Sequence, residues 1–271
     1  MDLEPVKQQG MVLLGCGKMG SAMLQGWLSR GVPPACVHVI DPKPSDWLRG
    51  TGTVINGPLP ATPAIVLIAV KPQMMGAALP SIAAMGGGKT LFLSVAAGTP
   101  IAAFEAVFGA DSPIIRAMPN TPAAVGKGIT AIIGNAVTQP AHLDLAEALL
   151  SAVGQVVRLD HEDQMDAVTA LSGSGPAYVF HMIEAMAAAG AAQGLPADLA
   201  MHLARTTVGG AGALAETANE TPAQLRINVT SPNGTTQAGL AILMDATHGL
   251  PPLIDRTIAA AADRSRELRR G

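Results

Sequence analysis

Gly15-Cys16-Gly17-Lys18-Met19-Gly20 has the spacing GxGxxG. Glycines so placed permit a tight turn, close approach of a pyrophosphate, and close packing of a helix on a strand. Free N–H groups at a helix start then receive the phosphate charge. Alone, the motif is only a glycine-rich turn. Its context favours a dinucleotide: the apolar run Met11 to Leu14 precedes it, a helical stretch from Ser21 to Ser29 follows, and Asp41 ends the next apolar run, where an acid about 20 residues on would meet the ribose. A carboxylate there accepts bonds from ribose hydroxyls and repels a 2′-phosphate, which favours NADH. Lys43 and Ser45 could instead hold that phosphate if Asp41 turned away, and Asp41 could also be a simple strand-end residue in an Asp-Pro turn. Cys16 reads as a small filler within the loop rather than a reactive thiol, although a helix N-terminus could lower its pKa.

Other strand ends carry unusual residues. Ala69-Val70-Lys71-Pro72, Ala96-Ala97-Gly98-Thr99 and Met118-Pro119-Asn120-Thr121-Pro122 would lie outside the carboxyl ends of strands, where ligands collect in sheets of this kind. Prolines on both sides of Asn120 and Thr121 stiffen that loop. Further on, Leu171-Ser172-Gly173-Ser174-Gly175-Pro176 and Thr230-Ser231-Pro232-Asn233-Gly234-Thr235-Thr236 place hydroxyls and N–H groups at helix starts, which suits a small anionic substrate. Each could also be an ordinary helix cap.

These residues need a scaffold. From Met11 to about Arg158, short apolar runs (Met11 to Leu14, Val37 to Ile40, Ile65 to Ala69, Leu91 to Val95, Ile114 to Ala117, Ile129 to Ile133) alternate with helical stretches. That alternation predicts a doubly wound, mostly parallel α/β sheet: a Rossmann-type dinucleotide-binding domain over residues 1–160. Beyond it, long Ala-, Leu- and Met-rich stretches are broken at Gly194-Leu195-Pro196, Thr221-Pro222 and Ser231-Pro232-Asn233-Gly234, which predicts an all-α substrate and dimerisation domain over 161–271. The stretch Ala177 to Ala192 is apolar on nearly every face. So small a domain cannot cover it alone, so a second subunit is expected to do so. Asp263 to Gly271 reads as a charged, solvated helix end.

The chain has 271 residues, a net charge of −3 and only 3% aromatics, too balanced and too poor in rings for a nucleic-acid binder. No run reaches the ~18 apolar residues of a membrane span. Two cysteines, Cys16 and Cys36, make neither a disulfide framework nor a metal site, and with no signal-peptide pattern they point to the cytoplasm.

GCGKMG, AVKP, MPNTP, LSGSGPAY and NVTSPNGTT occur in this order along essentially the whole chain, and in this it resembles the pyrroline-5-carboxylate reductases. The resemblance implies reduction of 1-pyrroline-5-carboxylate to L-proline by hydride transfer, usually from NADPH, in the last step of proline biosynthesis. It also implies homodimers with interlocked helical domains, sometimes built into larger rings. Carried over by residue, Gly15, Cys16, Gly17, Lys18, Met19 and Gly20 would bind the pyrophosphate, with Asn56 near the adenosine. Val70, Lys71 and Pro72 would line the cofactor, and Ala97, Asn120 and Thr121 would lie near the nicotinamide. Ser174, Gly175, Thr235 and Thr236 would surround the substrate, its carboxylate on the amides of the last two. The Thr236 hydroxyl would face the ring nitrogen, which makes Thr236, with Ser174, the catalytic candidate. Asp41-Pro42-Lys43 departs from the small polar or basic residues common in NADPH-preferring relatives.

The chemistry agrees. A protonated imine already carries its proton, so hydride addition gives a neutral amine and asks the protein for orientation rather than an acid. No lysine follows Lys127, which argues against a β-hydroxyacid dehydrogenase, since that family depends on a lysine in the helical domain. His181, His202 and His248 read as structural, and Glu184 as a paired helical acid. Two other readings stand beside the main one: a reductase of another cyclic imino acid, and a nonenzymatic dinucleotide-sensing module.

Overall fold

The computed structural model describes residues 3–270. Contacts divide them into two units: the first runs to Gly173 and takes in the chain again from Ala262, and the second is Ser174–Ala261.

In the first unit the order is α1 (Glu4–Gln9), β1 (Met11–Leu14), α2 (Lys18–Ser29), β2 (Val37–Ile40), α3 (Asp46–Arg49), β3 (Val54–Ile55), β4 (Ile65–Ile68), α4 (Met75–Ala78), β5 (Leu91–Ser94), α5 (Ile101–Phe108), β6 (Ile114–Met118), β7 (Gly128–Gly134), α6 (Pro140–Leu150), β8 (Gly154–Arg158) and α7 (Gln164–Val168). The sheet order is β3-β2-β1-β4-β5-β6-β7-β8. Every neighbouring pair is parallel except β6 and β7. Only a 3-10 turn, Thr121–Val125, lies between those two. It is too short for a crossover, so the chain doubles back. The first six strands follow the doubly wound order whose direction reverses between β1 and β4, where dinucleotides bind.

Residues of the central strands alternate between two cores, which is why β1 and β4 are apolar throughout. Met11 and Leu13 join Met23, Trp27 and Leu149 on one face. Val12 and Leu14 join Phe92, Phe104 and Phe108 on the other, where the Phe92 and Phe108 rings stack with centroids 3.8 Å apart. Trp27 Nε1 donates to the Leu149 carbonyl at 2.9 Å, fixing α2, the helix that follows the glycine loop, against α6.

The second unit comprises α8 (Gly175–Ala192), α9 (Ala197–Thr217), α10 (Pro222–Asn228), α11 (Thr235–Leu243) and the start of α12 (Leu250–Arg270). The Gly-Pro and Thr-Pro breaks become its loops, and Gly194, at φ 96°, ends the α8 turn as a β-carbon would not readily allow. Among the described residues, only α8 and α9 pack against each other over any length within this unit. Phe180 is 58% exposed and Ile242 76%, so the apolar faces of these helices have no cover inside the unit.

One expectation changes. The C-terminal helix end is not simply solvated: Ser265 Oγ donates to the buried Asp166 carboxylate at 2.7 Å, and Arg269 reaches Asp163 and Asp166. That docking ties α7 to the last turns of α12, so contact divides the chain after Gly173 rather than after residue 160. Residues Thr169–Gly173 form a π-helical turn continuing α7, in which the Ser172 hydroxyl bonds back to the Val168 carbonyl.

Candidate active site

The parallel register sets one edge. Leu14 lies opposite Ile40 and Ile68, Ile68 opposite Ser94, and Ser94 opposite Arg116. The residues that follow these strands therefore emerge side by side, which brings together Gly15 to Gly20, Asp41, Val70, Lys71, Pro72, Ala97, Asn120 and Thr121. Gly15 has φ 90°, and a β-carbon on it would lie 2.8 Å from Val70 Cγ1. A β-carbon on Gly20 would strike the Gly15 carbonyl. Gly17 differs: nothing stands within 4 Å of such an atom. Two of the glycines thus serve packing, and the middle one opens a hollow at the start of α2. That helix has Gly17 at its N-cap and no side chain capping it, so its first N–H groups are available to an anion.

Asp41 does not turn away from this loop. Its Oδ2 accepts from the Cys16 N–H and its Oδ1 from the Lys43 N–H, each at 2.8 Å. Asn56, in the left-handed region at φ 49°, braces it: the Asp41 N–H donates to Asn56 Oδ1 at 2.9 Å, and Asn56 Nδ2 donates to the Asp41 carbonyl at 2.7 Å. Ser45 caps α3 through the Leu48 N–H. Beside Asp41 lies an apolar slot of about 250 Å³ lined by Ile40, Pro42, Val70, Met74 and Ala78, of a size and character to take a flat ring. Only Val70 of these was expected. The others are ordinary apolar residues, and no spacing marks them.

Lys71 is exposed and leads into a 3-10 turn, Pro72–Met74. Ala97 is exposed in the loop between β5 and α5. Asn120 Oδ1 accepts from the Ile129 N–H at 3.0 Å, closing the loop that the flanking prolines stiffen, and Thr121 is exposed at its turn.

In the helical unit, Ser174 precedes α8 with helical dihedrals and caps nothing, and Gly175 is the first residue of the helix. Thr235 and Thr236 are the exposed first residues of α11. The N-cap there is Gly234, without a side-chain cap, so the orphan N–H groups of this helix have no protein acceptor from that quarter.

The family model described as pyrroline-5-carboxylate reductase dimerisation matches residues 162–268. One described as NADP oxidoreductase, coenzyme F420-dependent, matches residues 11–98. A pyrroline-5-carboxylate reductase of Pseudomonas aeruginosa is 39% identical over 264 residues, covering 95% of this chain and 96% of that protein. The chain belongs to the pyrroline-5-carboxylate reductase family. A second reductase of that name, from Synechocystis, is 47% identical over 204 residues, 75% of this chain and 74% of that one. Among solved structures, the pyrroline-5-carboxylate reductase of Coxiella burnetii superposes with a TM-score of 0.90 at 31% identity over 96% of this chain and 98% of its own. That of Plasmodium falciparum, with NADP bound, gives 0.82 at 26% identity over 97% and 99%.

As a pyrroline-5-carboxylate reductase, the chain reduces 1-pyrroline-5-carboxylate to proline with NAD(P)H, and its dimerisation region makes it a homo-oligomer. The hollow at Gly17, the uncapped α2 and the apolar slot fit such a cofactor. No helix among the described residues is long and apolar enough to cross a membrane, and no group of His, Cys, Asp and Glu among them is placed to hold a metal ion.

Cys16 lies in the glycine loop between β1 and α2 and is not a reactive thiol. Burial, and then the Asp41 charge, push its pKa up to about 11, against the direction a helix N-terminus would favour. At pH 8 it is therefore a neutral thiol. Iodoacetamide is expected to alkylate it at about a hundredth of the rate of an unperturbed thiol, whose pKa of about 8.5 leaves much of it ionised. Peptide mapping by mass spectrometry checks this, and alkylation at the rate of a free thiol would contradict it.

Proposed function

We propose that the first unit of this reductase holds NADH in preference to NADPH and that α11 holds the substrate carboxylate. In this reading Gly15 to Gly20 receive the pyrophosphate and the slot at Ile40, Pro42 and Val70 takes the adenine. Asp41 and Asn56 meet the adenosine ribose, Lys71 and Pro72 flank the cofactor, and Ala97, Asn120 and Thr121 lie at the nicotinamide. NAD(P)H supplies the hydride when bound. The N–H groups of Thr235 and Thr236 bind the carboxylate at the positive end of α11, and the Thr236 hydroxyl bonds the ring nitrogen. Ser174 and Gly175, at the start of α8, complete the substrate contacts. No residue need donate a proton to a protonated imine, in keeping with a helical unit that contains no lysine.

The observation that carries the cofactor preference is the pinned Asp41 carboxylate. Two backbone N–H groups hold its oxygens, so the charge cannot swing clear of a 2′-phosphate. Asp41→Ser is expected to raise the ratio of kcat/KM for NADPH over that for NADH by about tenfold, the worth of about 1.4 kcal/mol. An unaltered ratio removes Asp41 from cofactor selection.

The single packed pair α8 and α9, with apolar faces elsewhere uncovered, supports a homodimer with interlocked helical units, or a larger ring built from such dimers. The two unpaired cysteines suit a cytoplasmic enzyme. The test of the whole reading follows nicotinamide absorbance with pyrroline-5-carboxylate and each reduced cofactor. Turnover with a higher kcat/KM for NADH is expected. Preference for NADPH would overturn the cofactor assignment, and cofactor binding without turnover would favour a sensing module.

A further inference from the structure

The loop between β5 and α5, residues Val95–Pro100, carries Ala97 and is held from three directions, two of them by residues distant in sequence. Inside, the Ala96 N–H donates to Ser94 Oγ at 3.3 Å. At its far end, α5 begins after Pro100 with no cap and no acid of its own in the first turn. The Ile101 N–H donates instead to Glu162 Oε1 at 3.0 Å. That same oxygen pairs at 2.7 Å with Arg116 Nη1, whose side chain is 3% exposed and whose strand position lies opposite Ser94. Above the loop, Leu268 Cβ stands 3.7 Å from where a methyl on Gly98 would be. Leu268 is brought there by the last turns of α12. Arg269 bonds Asp163 at 2.9 Å and Asp166 at 3.3 Å, while Ser265 bonds Asp166. The segment 162–166 is therefore a hub: Glu162 fixes the loop directly, and Asp163 and Asp166 fix the helix end that covers it.

We infer that Glu162, with its partner Arg116, and the Asp163, Asp166, Ser265 and Arg269 cluster that seats Leu268 are positioning residues for the nicotinamide-side loop. The inference rests on the reading above that Ala97 lies at the nicotinamide. None of these side chains is assigned to the cofactor or substrate. They act through the path of the main chain from Ala96 to Ile101.

A buried Arg-Glu pair also has a structural role, and removing one partner strands the other, so single substitutions would mix stability with positioning. Paired substitutions separate the two. Arg116→Met with Glu162→Met removes both charges and the acceptor for Ile101. Arg116→Met with Glu162→Gln removes both charges and keeps an amide oxygen for that N–H. In the full-length enzyme, the first pair is expected to raise the KM for the reduced cofactor about tenfold and the second less than about threefold, with melting temperatures alike and the KM for pyrroline-5-carboxylate unmoved in both. Equal cofactor KM values in the two pairs would overturn the inference. Should either pair fail to fold, Leu268→Gly, at a side chain 58% exposed, is expected to raise the cofactor KM about threefold, and no rise would overturn it. Ala97→Leu separates this inference from the reading beneath it. A rise in cofactor KM for Ala97→Leu together with equal values for the two pairs refutes the positioning role alone. No effect of Ala97→Leu refutes the placement of the loop and the inference with it.

Discussion

Gly17→Val is expected to abolish useful cofactor affinity while leaving the fold intact. The backbone at Gly17 has φ −71° and ψ −160°, which any residue adopts, and a β-carbon there meets no protein atom within 4 Å. The added side chain therefore fills only the hollow at the start of α2. Replacing glycine with valine at an N-cap costs about 1 kcal/mol, a fall in Tm of roughly 2–4 °C for a unit of this size. The Kd for NADH is expected to rise by at least about a hundredfold, about 2.7 kcal/mol, as pyrophosphate contacts with the helix start are lost. Gly15→Ala behaves differently, because its β-carbon would press on Val70 at a φ of 90°. It should lose stability as well as affinity. Calorimetric titration with thermal melts on both variants checks the contrast, and a Gly17→Val enzyme that binds NADH normally would exclude the loop as the pyrophosphate site.

Thr236→Ala tests the other half of the reaction. Alanine is at least as good as threonine in the first turn of a helix, and Thr236 is exposed with no side-chain cap to lose. The fold should not notice the change. Loss of one hydrogen bond to a charged imine is worth about 1.5–3 kcal/mol, so kcat/KM for pyrroline-5-carboxylate should fall by about 10- to 100-fold. The Kd for NADH should stay within about twofold, because the variant leaves the glycine loop untouched. Thr236→Ser, which keeps the hydroxyl, should recover most of the loss. An equal loss of cofactor affinity would place Thr236 in the wrong site.

Much of this was readable from residue order, and the exceptions have physical causes. The apolar runs of β1, β4 and β5 stand out because these strands are buried on both faces, and those of β2, β6 and β7 because at least half of their residues are buried. β3 is only Val54–Ile55, and β8, Gly154–Arg158, is a largely exposed edge strand containing Gly, Gln and Arg. Neither produces the pattern of a buried strand. The short α1, Glu4–Gln9, buries only Val6 and gives almost no periodic signal. Glycine spacing marked the turn between β1 and α2, but nothing in the order of residues says that Asp41 bonds the Cys16 N–H, since that needs β1 and β2 already in register. Ser172, Gly173 and Ser174 read as the approach to a helix start, and composition does not show that Thr169–Gly173 form a π-helical turn, in which the Ser172 hydroxyl bonds back to the Val168 carbonyl. Arg116 and Glu162 are single charges in unrelated segments, and only the sheet and α7 bring them together.

The first unit is closed by the residues from Ala262 onward, which return to it after the whole helical unit has intervened. On the ribosome the sheet can pair its strands early, but the clasp on the loop at Gly98 must wait until those late residues emerge. A product cut short before Ala262 would hold a nearly complete Rossmann-type sheet and lack the segment that packs on the loop at Gly98.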